Sequence, residues 1–424
     1  MLTGKGLSQN SVKACGPLVI LLESSWGFLC YLSVMIRLLK LCVFLSFFSA
    51  SAQPGTQGFV IGKTSGTLPF LEYGLGEDRL GGAKMTYLDT GIVIKVVDST
   101  IINYKVQLSR NHFAYLGKTY FRADSSITPR PYYLTSSWLV NGDDKYDFVS
   151  ITLDERLPYR HIQQINPSRI IIDIFGATSN SNWINQRSSA REIKNVYYEQ
   201  AEDDIFRMII ELNHPQHWGY SIYYEGTKLV IKVKRQPADL ELEKLKIAID
   251  AGHGGDNTGA TGVTTKIQEK TYTLLIAQEL QKKLLDKGAT VFMTREKDIS
   301  LSMVERIEML KKEDPHLMVS IHLNSSGRDS IKGVSTYYRY IGFRPLSQYI
   351  LESMVELGLV EFGNVGNFNF TLNGPTDYPN CLVEVAFLSN KEDVQLILDP
   401  GFHKAVAEQI IEGIKNWLKS CKDQ

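Results

Sequence analysis

Lys246-Ile-Ala-Ile-Asp250-Ala-Gly-His253-Gly-Gly255 reads as a buried strand that runs into a glycine-rich loop carrying an imidazole. From there strands and helices alternate. Glu269 to Lys287 has the period of an amphipathic helix, with Leu274, Ile276, Ala277, Leu280, Leu284 and Leu285 on its apolar side and Gly288 as its stop signal. Thr290-Val-Phe-Met-Thr294 is the next strand, and Ser302-Met-Val-Glu305 is a capping box that opens a second helix. The strand Leu317-Met-Val-Ser-Ile-His322, a helix from about Arg344 to Leu357, and the strand Cys381-Leu-Val-Glu-Val-Ala-Phe387 follow. Two helical segments close the chain, the second running to about Lys419. This alternation predicts an α/β domain over residues 246–420, a mostly parallel sheet flanked by helices on both faces.

The polar residues within that pattern have a common destination. Ligands of an open α/β sheet gather outside the carboxyl ends of its strands. His253 lies just past the first strand, His322 ends a later one, and Glu269 opens the helix after the first loop. Glu384 instead points from within an apolar strand, on the face shared with Leu382 and Ala386. A carboxylate there is costly unless it is paired or used. Two imidazoles and two carboxylates supply a catalytic zinc ion with three ligands, leaving one carboxylate for proton transfer. A metal-free protein that keeps only the fold, or another zinc hydrolase such as a carboxypeptidase, are the competing readings. The remaining histidines (His112, His161, His214, His217, His316, His403) read as ordinary core or surface residues, and Cys381 as a buried core thiol.

The chain has 424 residues, enough for two or three domains, and 46 basic against 46 acidic residues. No block of like charge suggests nucleic acid or a polybasic membrane surface. Residues 35–52 form a secretory signal: Arg37 and Lys40, the apolar run from Leu41 to Phe48, then Ala50-Ser51-Ala52. Met35 is then the expected start, residues 1–34 being dispensable; an uncleaved anchor over residues 17–48 is the rival. Three of the five cysteines fall in this leader, so neither a disulfide framework nor a zinc-thiolate cluster is expected. Removal of residues 1–52 leaves a formal charge of −3. The expected location is the periplasm or cell envelope.

Between leader and α/β domain the pattern is all-β, in short alternating runs such as Gly91-Ile-Val-Ile-Lys-Val-Val97 and Arg169-Ile-Ile-Ile-Asp-Ile174, predicting sandwiches or small barrels. Residues 56–140 are similar in rhythm to an SH3-like barrel. Residues 144–236 resemble the AMIN domain, on Ser168-Arg-Ile-Ile-Ile-Asp-Ile-Phe-Gly176, Ile193 onward, and Tyr224-Glu-Gly-Thr-Lys-Leu-Val-Ile-Lys-Val233. Residues 237–245, in a stretch whose Pro237 and mixed charges break the strand rhythm, read as the linker.

The α/β domain closely resembles the zinc-dependent N-acetylmuramoyl-L-alanine amidases of the Amidase_3 type. The resemblance rests on Asp250-Ala-Gly-His-Gly-Gly255, Gly259-Ala260, Glu269-Lys270, Thr294-Arg295 with Asp298, Arg306, Ser320-Ile-His-Leu-Asn324, Pro379 and Leu382-Val-Glu-Val-Ala-Phe-Leu-Ser-Asn390. It implies His253, Glu269 and His322 as ligands of one Zn²⁺ and Glu384 as catalytic acid/base. The implied reaction is hydrolysis of the amide between N-acetylmuramic acid and L-alanine of peptidoglycan, in wall remodelling or cell separation. Asp250 either orients His253 or caps its loop. Asn257-Thr258-Gly259 stands where the family often has Asp-Pro-Gly, and Ala386 where Gly is frequent; neither is a ligand position, so only loop detail is expected to differ. Division-associated relatives often insert a plugging helix between the second histidine and the glutamate. Here 61 residues lie between His322 and Glu384, taken up by a strand, a helix and an Asn-rich loop, which predicts an open cleft. Asn364, Asn367, Asn369 and Asn373 are either substrate contacts or turn formers. A monomer is expected, with envelope or cell-division proteins as partners through the β region.

Overall fold

The computed structural model describes residues 58–76, 81–262 and 266–423. The leader, with its signal sequence, Met35, Cys15, Cys30 and Cys42, lies outside the described residues. Among the described residues no helix is long and apolar enough to cross a membrane.

The all-β region is built from three sheets. Strands between Val60 and Ala123 form a seven-stranded antiparallel sheet whose edge is Lys84–Tyr87. A four-stranded sheet (Tyr159–Ile165, Ser168–Phe175, Ile205–Leu212, Ile193–Glu202) and a six-stranded one built on Tyr133–Gly142, Tyr146–Leu153, Lys228–Lys234 and Tyr220–Glu225 make up the rest. Alternation places Val149 and Ile151 of one sheet and Ile170, Ile172 and Ile174 of the other in a shared core with no exposure. That core continues into the first sheet through Leu71, Ile92, Ile94 and Val106. Strand Tyr133–Gly142 pairs with Tyr146–Leu153, so the strand that crosses residue 140 shares a sheet with the residues that follow it.

The C-terminal domain has six strands, β1 (Lys246–Ala251), β2 (Thr290–Met293), β3 (Leu317–Asn324), β4 (Val334–Tyr337), β5 (Glu361–Val365) and β6 (Asn380–Phe387). Its helices are α1 (Glu269–Asp286), α2 (Met303–Glu313), α3 (Arg344–Val355), α4 (Lys391–Leu398) and α5 (Pro400–Lys422). The sheet order is β2-β1-β3-β6-β4-β5. Four ladders are parallel, but β4 runs antiparallel to β6, so the sheet is mixed. A parallel return needs a crossover of about a dozen residues or more. The short segment from β3 to β4 holds no helix, so β4 comes back reversed. Ser302 and Glu305 form the expected reciprocal cap on α2. Ile276, Ala277, Leu280 and Leu284 of α1 are fully buried, whereas Leu285, apolar-facing by periodicity, is 52% exposed at the last turn.

Residues 237–245 are more than a tether. Leu240, Leu242 and Leu245 are buried in the core of the α/β domain, and Trp218 joins them. Trp218 packs on Trp417 with ring centroids 5.0 Å apart, and Trp417 Nε1 donates to Gln216 Oε1 at 3.0 Å. Lys234 pairs with Asp314 at 2.7 Å. Apolar spacing too short to register as an element thus fastens the two halves together.

Candidate active site

The sheet brings the four expected residues to one end. Ala251 pairs with Ile321 and His322 with Glu384, which aligns the ends of β1, β3 and β6. His253 follows β1 in a left-handed conformation, φ 62°, which turns its ring back over the strand ends. Glu269 opens α1, where the helix dipole favours a negative charge. Glu269 Oε1 lies 3.1 Å from His253 Nε2 and 3.0 Å from His322 Nδ1. Ligand atoms of all three residues fall within 4.8 Å of one another. A tetrahedral zinc ion with bonds of about 2.0–2.1 Å holds its ligands about 3.3–3.4 Å apart, so the N, O, N donor set fits with small adjustment.

The tautomer of His253 can be read from its neighbours. Asn257 Oδ1 accepts the Gly259 N–H at 3.2 Å, which identifies that atom as the oxygen. The same oxygen lies 3.0 Å from His253 Nδ1. In the neutral ring that a metal would require, Nδ1 would carry the proton and donate it to that oxygen, leaving Nε2 as the ligand atom. Asn257 is thus more than loop detail: the paired backbone of Gly254 and Asn257 folds the loop back and sets the amide against the His253 ring. Asp250 does not fill that role. It is fully buried and accepts from Arg306 Nη1 (2.5 Å), Ser320 Oγ (2.6 Å) and Thr294 Oγ1 (2.7 Å). Burial pushes Asp250 up, but the Arg306 charge and the two hydroxyls outweigh it and hold the carboxyl below its usual range.

Two buried arginines then hold the loop by its carbonyls. Arg306 donates to Ala251 O and His253 O, and Arg295 to Ala251 O, Gly252 O and Lys270 O. Asp298 accepts from Gly255 N and from Lys270 Nζ, both at 2.7 Å. Gly252 is required because a Cβ there would strike the His322 ring. Glu269 is anchored by the amides of Ala260 (2.7 Å) and Leu323 (3.0 Å). Burial raises its pKa, but both imidazoles pull it far below the carboxylate norm, so it is ionised.

These residues open on a cavity of about 490 Å³, which Glu384, Leu382, Met303, Phe370 and Leu372 also line. Glu384 is 7% exposed. The Phe370 ring runs parallel to that of His322, 9° between planes and 6.5 Å between centroids. Phe370 and Met303 carry no motif signal in the sequence. Of the asparagines, Asn373 is fully buried and bonds Tyr337 O and Asn380, Asn364 bonds Ser347 and Gln348, and Asn367 holds a left-handed turn. Asn369 reaches the N-terminal sheet. The other histidines do not line the cavity, and Cys381 and Cys421 are buried free thiols.

Residues 247–416 match the family described as N-acetylmuramoyl-L-alanine amidase, and residues 139–233 match the AMIN domain. The probable cell wall amidase LytH of Staphylococcus saprophyticus is 32% identical over 193 residues, 45% of this chain and 65% of its own length. LytH of Staphylococcus aureus is 34% identical over 181 residues, 42% of this chain and 60% of its own. The chain thus spans less than two thirds of these relatives. The solved catalytic domain of CwlV, an N-acetylmuramoyl-L-alanine amidase from Bacillus (Paenibacillus) polymyxa, is 31% identical with a TM-score of 0.40, covering 41% of this chain and 98% of that one.

Proposed function

We propose that this chain, whose C-terminal domain belongs to the N-acetylmuramoyl-L-alanine amidase family and whose residues 139–233 form an AMIN domain, hydrolyses the amide joining N-acetylmuramic acid to L-alanine in peptidoglycan. The observation that carries this reading is the convergence of His253, Glu269 and His322 on one point of a cavity that Glu384 also lines.

His253 through Nε2, Glu269 through Oε1 and His322 through Nδ1 are the groups that would hold a zinc ion. Bound there, zinc supplies a Lewis acid that polarises a carbonyl and makes water nucleophilic near neutral pH. Glu384 takes a proton from the attacking water and returns it to the nitrogen as the C–N bond breaks. The lactyl carbonyl keeps the hydroxyl, and L-alanine leaves as a free amine. Proton transfer of this kind contributes roughly a hundredfold to ten-thousandfold in rate. Asn257 holds the proton on His253 Nδ1, and Arg306 and Arg295 keep the loop from drifting. Met303, Phe370, Leu372 and Leu382 give the cavity an apolar wall that limits water around the scissile amide.

The leader and the AMIN domain support export, with action in the periplasm or cell envelope, and the β region as the contact with the wall or with envelope proteins. Mass spectrometry of digested peptidoglycan tests the reading. Intact stem peptides with a free L-alanine amino terminus, and glycan stripped of peptide, are expected. Cleavage inside the stem peptide would point to a carboxypeptidase instead, and an unaltered wall to a binding protein.

A further inference from the structure

We infer that the N-terminal seven-stranded sheet, which lies outside both family matches, is a working part of the catalytic cleft: it positions the loop over residues 366–374 that forms one cavity wall. The loop has two faces. On one, Phe370, Thr371 and Leu372 line the cavity, and Phe370 packs on Tyr337 and Phe368 with centroids 5.3 and 4.6 Å away. On the other, Asn369 grips the edge strand Lys84–Tyr87. Asn369 Nδ2 donates to Gly82 O at 2.8 Å, and Lys84 N donates to Asn369 Oδ1 at 3.3 Å. Arg339 seals the junction, donating to Lys84 O and, at 3.4 Å, to Asn369 Oδ1.

Apolar packing reinforces the polar grip. Leu372 is 3% exposed and shares a cluster with Tyr87 of the edge strand and with Leu68 of a bend in the same N-terminal region. Tyr87 lies against Gly374 so closely that a Cβ there would come within 2.7 Å of its ring. An edge strand exposes unpaired amides and carbonyls, and a side-chain amide with one donor and one acceptor satisfies both kinds at once. The sheet is therefore a fixed wall behind the loop. Asn369 and Tyr87 touch neither ligands nor the cavity and act through Phe370, which makes them positioning residues.

This rests on the hydrolytic reading of the cavity, so one of its two readouts is independent of activity. In full-length Asn369→Ala, hydrogen exchange of amides 366–374 should quicken about tenfold while that of α1 and β3 holds. With soluble muropeptide as substrate, KM should rise about tenfold, kcat should fall no more than threefold, and zinc content should be unchanged. Asn369→Asp, which keeps the acceptor for Lys84 N–H and loses the donor to Gly82 O, should fall between. Wild-type exchange in the loop, or wild-type KM with faster exchange, overturns the inference. A wild-type protein inert on muropeptide sinks the hydrolytic reading instead, and the exchange result still decides whether the sheet holds the loop.

Discussion

The loop over residues 252–260 is fastened by its own domain, while the loop over residues 366–374 is fastened both by its own domain and from the N-terminal sheet. Arg306, Lys270 and Asp298 reach the first loop across separations of 53, 15 and 43 residues, all within the α/β domain. Gly82 and Lys84 reach the second across 287 and 285 residues. One part of the cavity lining is thus written into the catalytic motif, and another, the loop carrying Phe370, is also held by a module that the motif says nothing about.

Substitution in the first loop's supports should do the most damage. Arg306→Ala leaves the buried Asp250 carboxylate, 1% exposed at its side chain, without its counter-charge. A loss of about 3–5 kcal/mol of stability in denaturant unfolding is expected. A loss under about 1 kcal/mol would mean that the loop has other supports and the contrast is overdrawn. Glu384→Gln leaves both loops intact, so it should keep fold and zinc while turnover of muropeptide falls roughly a hundredfold to ten-thousandfold. Near-normal turnover would remove Glu384 as the proton carrier.

Asn257→Ala sharpens the comparison from inside the first loop. With Nδ1 of His253 unpartnered the wrong tautomer becomes accessible, and zinc affinity in chelator competition should weaken by about 10–100-fold. Asn257→Asp should restore it, because a carboxylate accepts the same proton. Equal affinity in all three proteins would show that the ring is oriented by packing alone.

The smallest expected effect lies where the β region docks. His217 is buried at 1% exposure, and its Nε2 donates to Gln164 O at 2.8 Å, with Gly342 of the α/β domain against the ring. Burial pushes its pKa down to about 4, only partly offset by that carbonyl. The folded value lies below the unfolded value of about 6.5, so this contribution is complete above pH 6.5 and is lost as pH falls towards 4. At pH 5 the cost is about 2 kcal/mol. His217→Gln should flatten the fall in stability between pH 7 and 5, and an unchanged slope would place the acid sensitivity elsewhere.

The α/β domain was legible because its strands are continuous apolar runs and its helices keep a strict period. The positions of His253, Glu269 and His322 were legible because each sits at a strand end or helix start. The antiparallel β4 was not, since direction depends on which strand it pairs with and its residues carry no sign of that. Asn257 was missed because its role lies in a hydrogen bond made only once the loop folds back. Asn369 and Phe370 were missed because an Asn-rich turn looks alike whether it faces substrate, solvent or another module. The docking leucines of residues 237–245 were hidden by the charges between them.

Elemental analysis of the full-length protein after exhaustive dialysis, beside Glu384→Gln and His322→Ala, tests the centre of this account most directly. One zinc per chain is predicted in the wild type and in Glu384→Gln, and almost none in His322→Ala. Full zinc in His322→Ala, or none in a folded wild-type protein supplied with the metal, would contradict it.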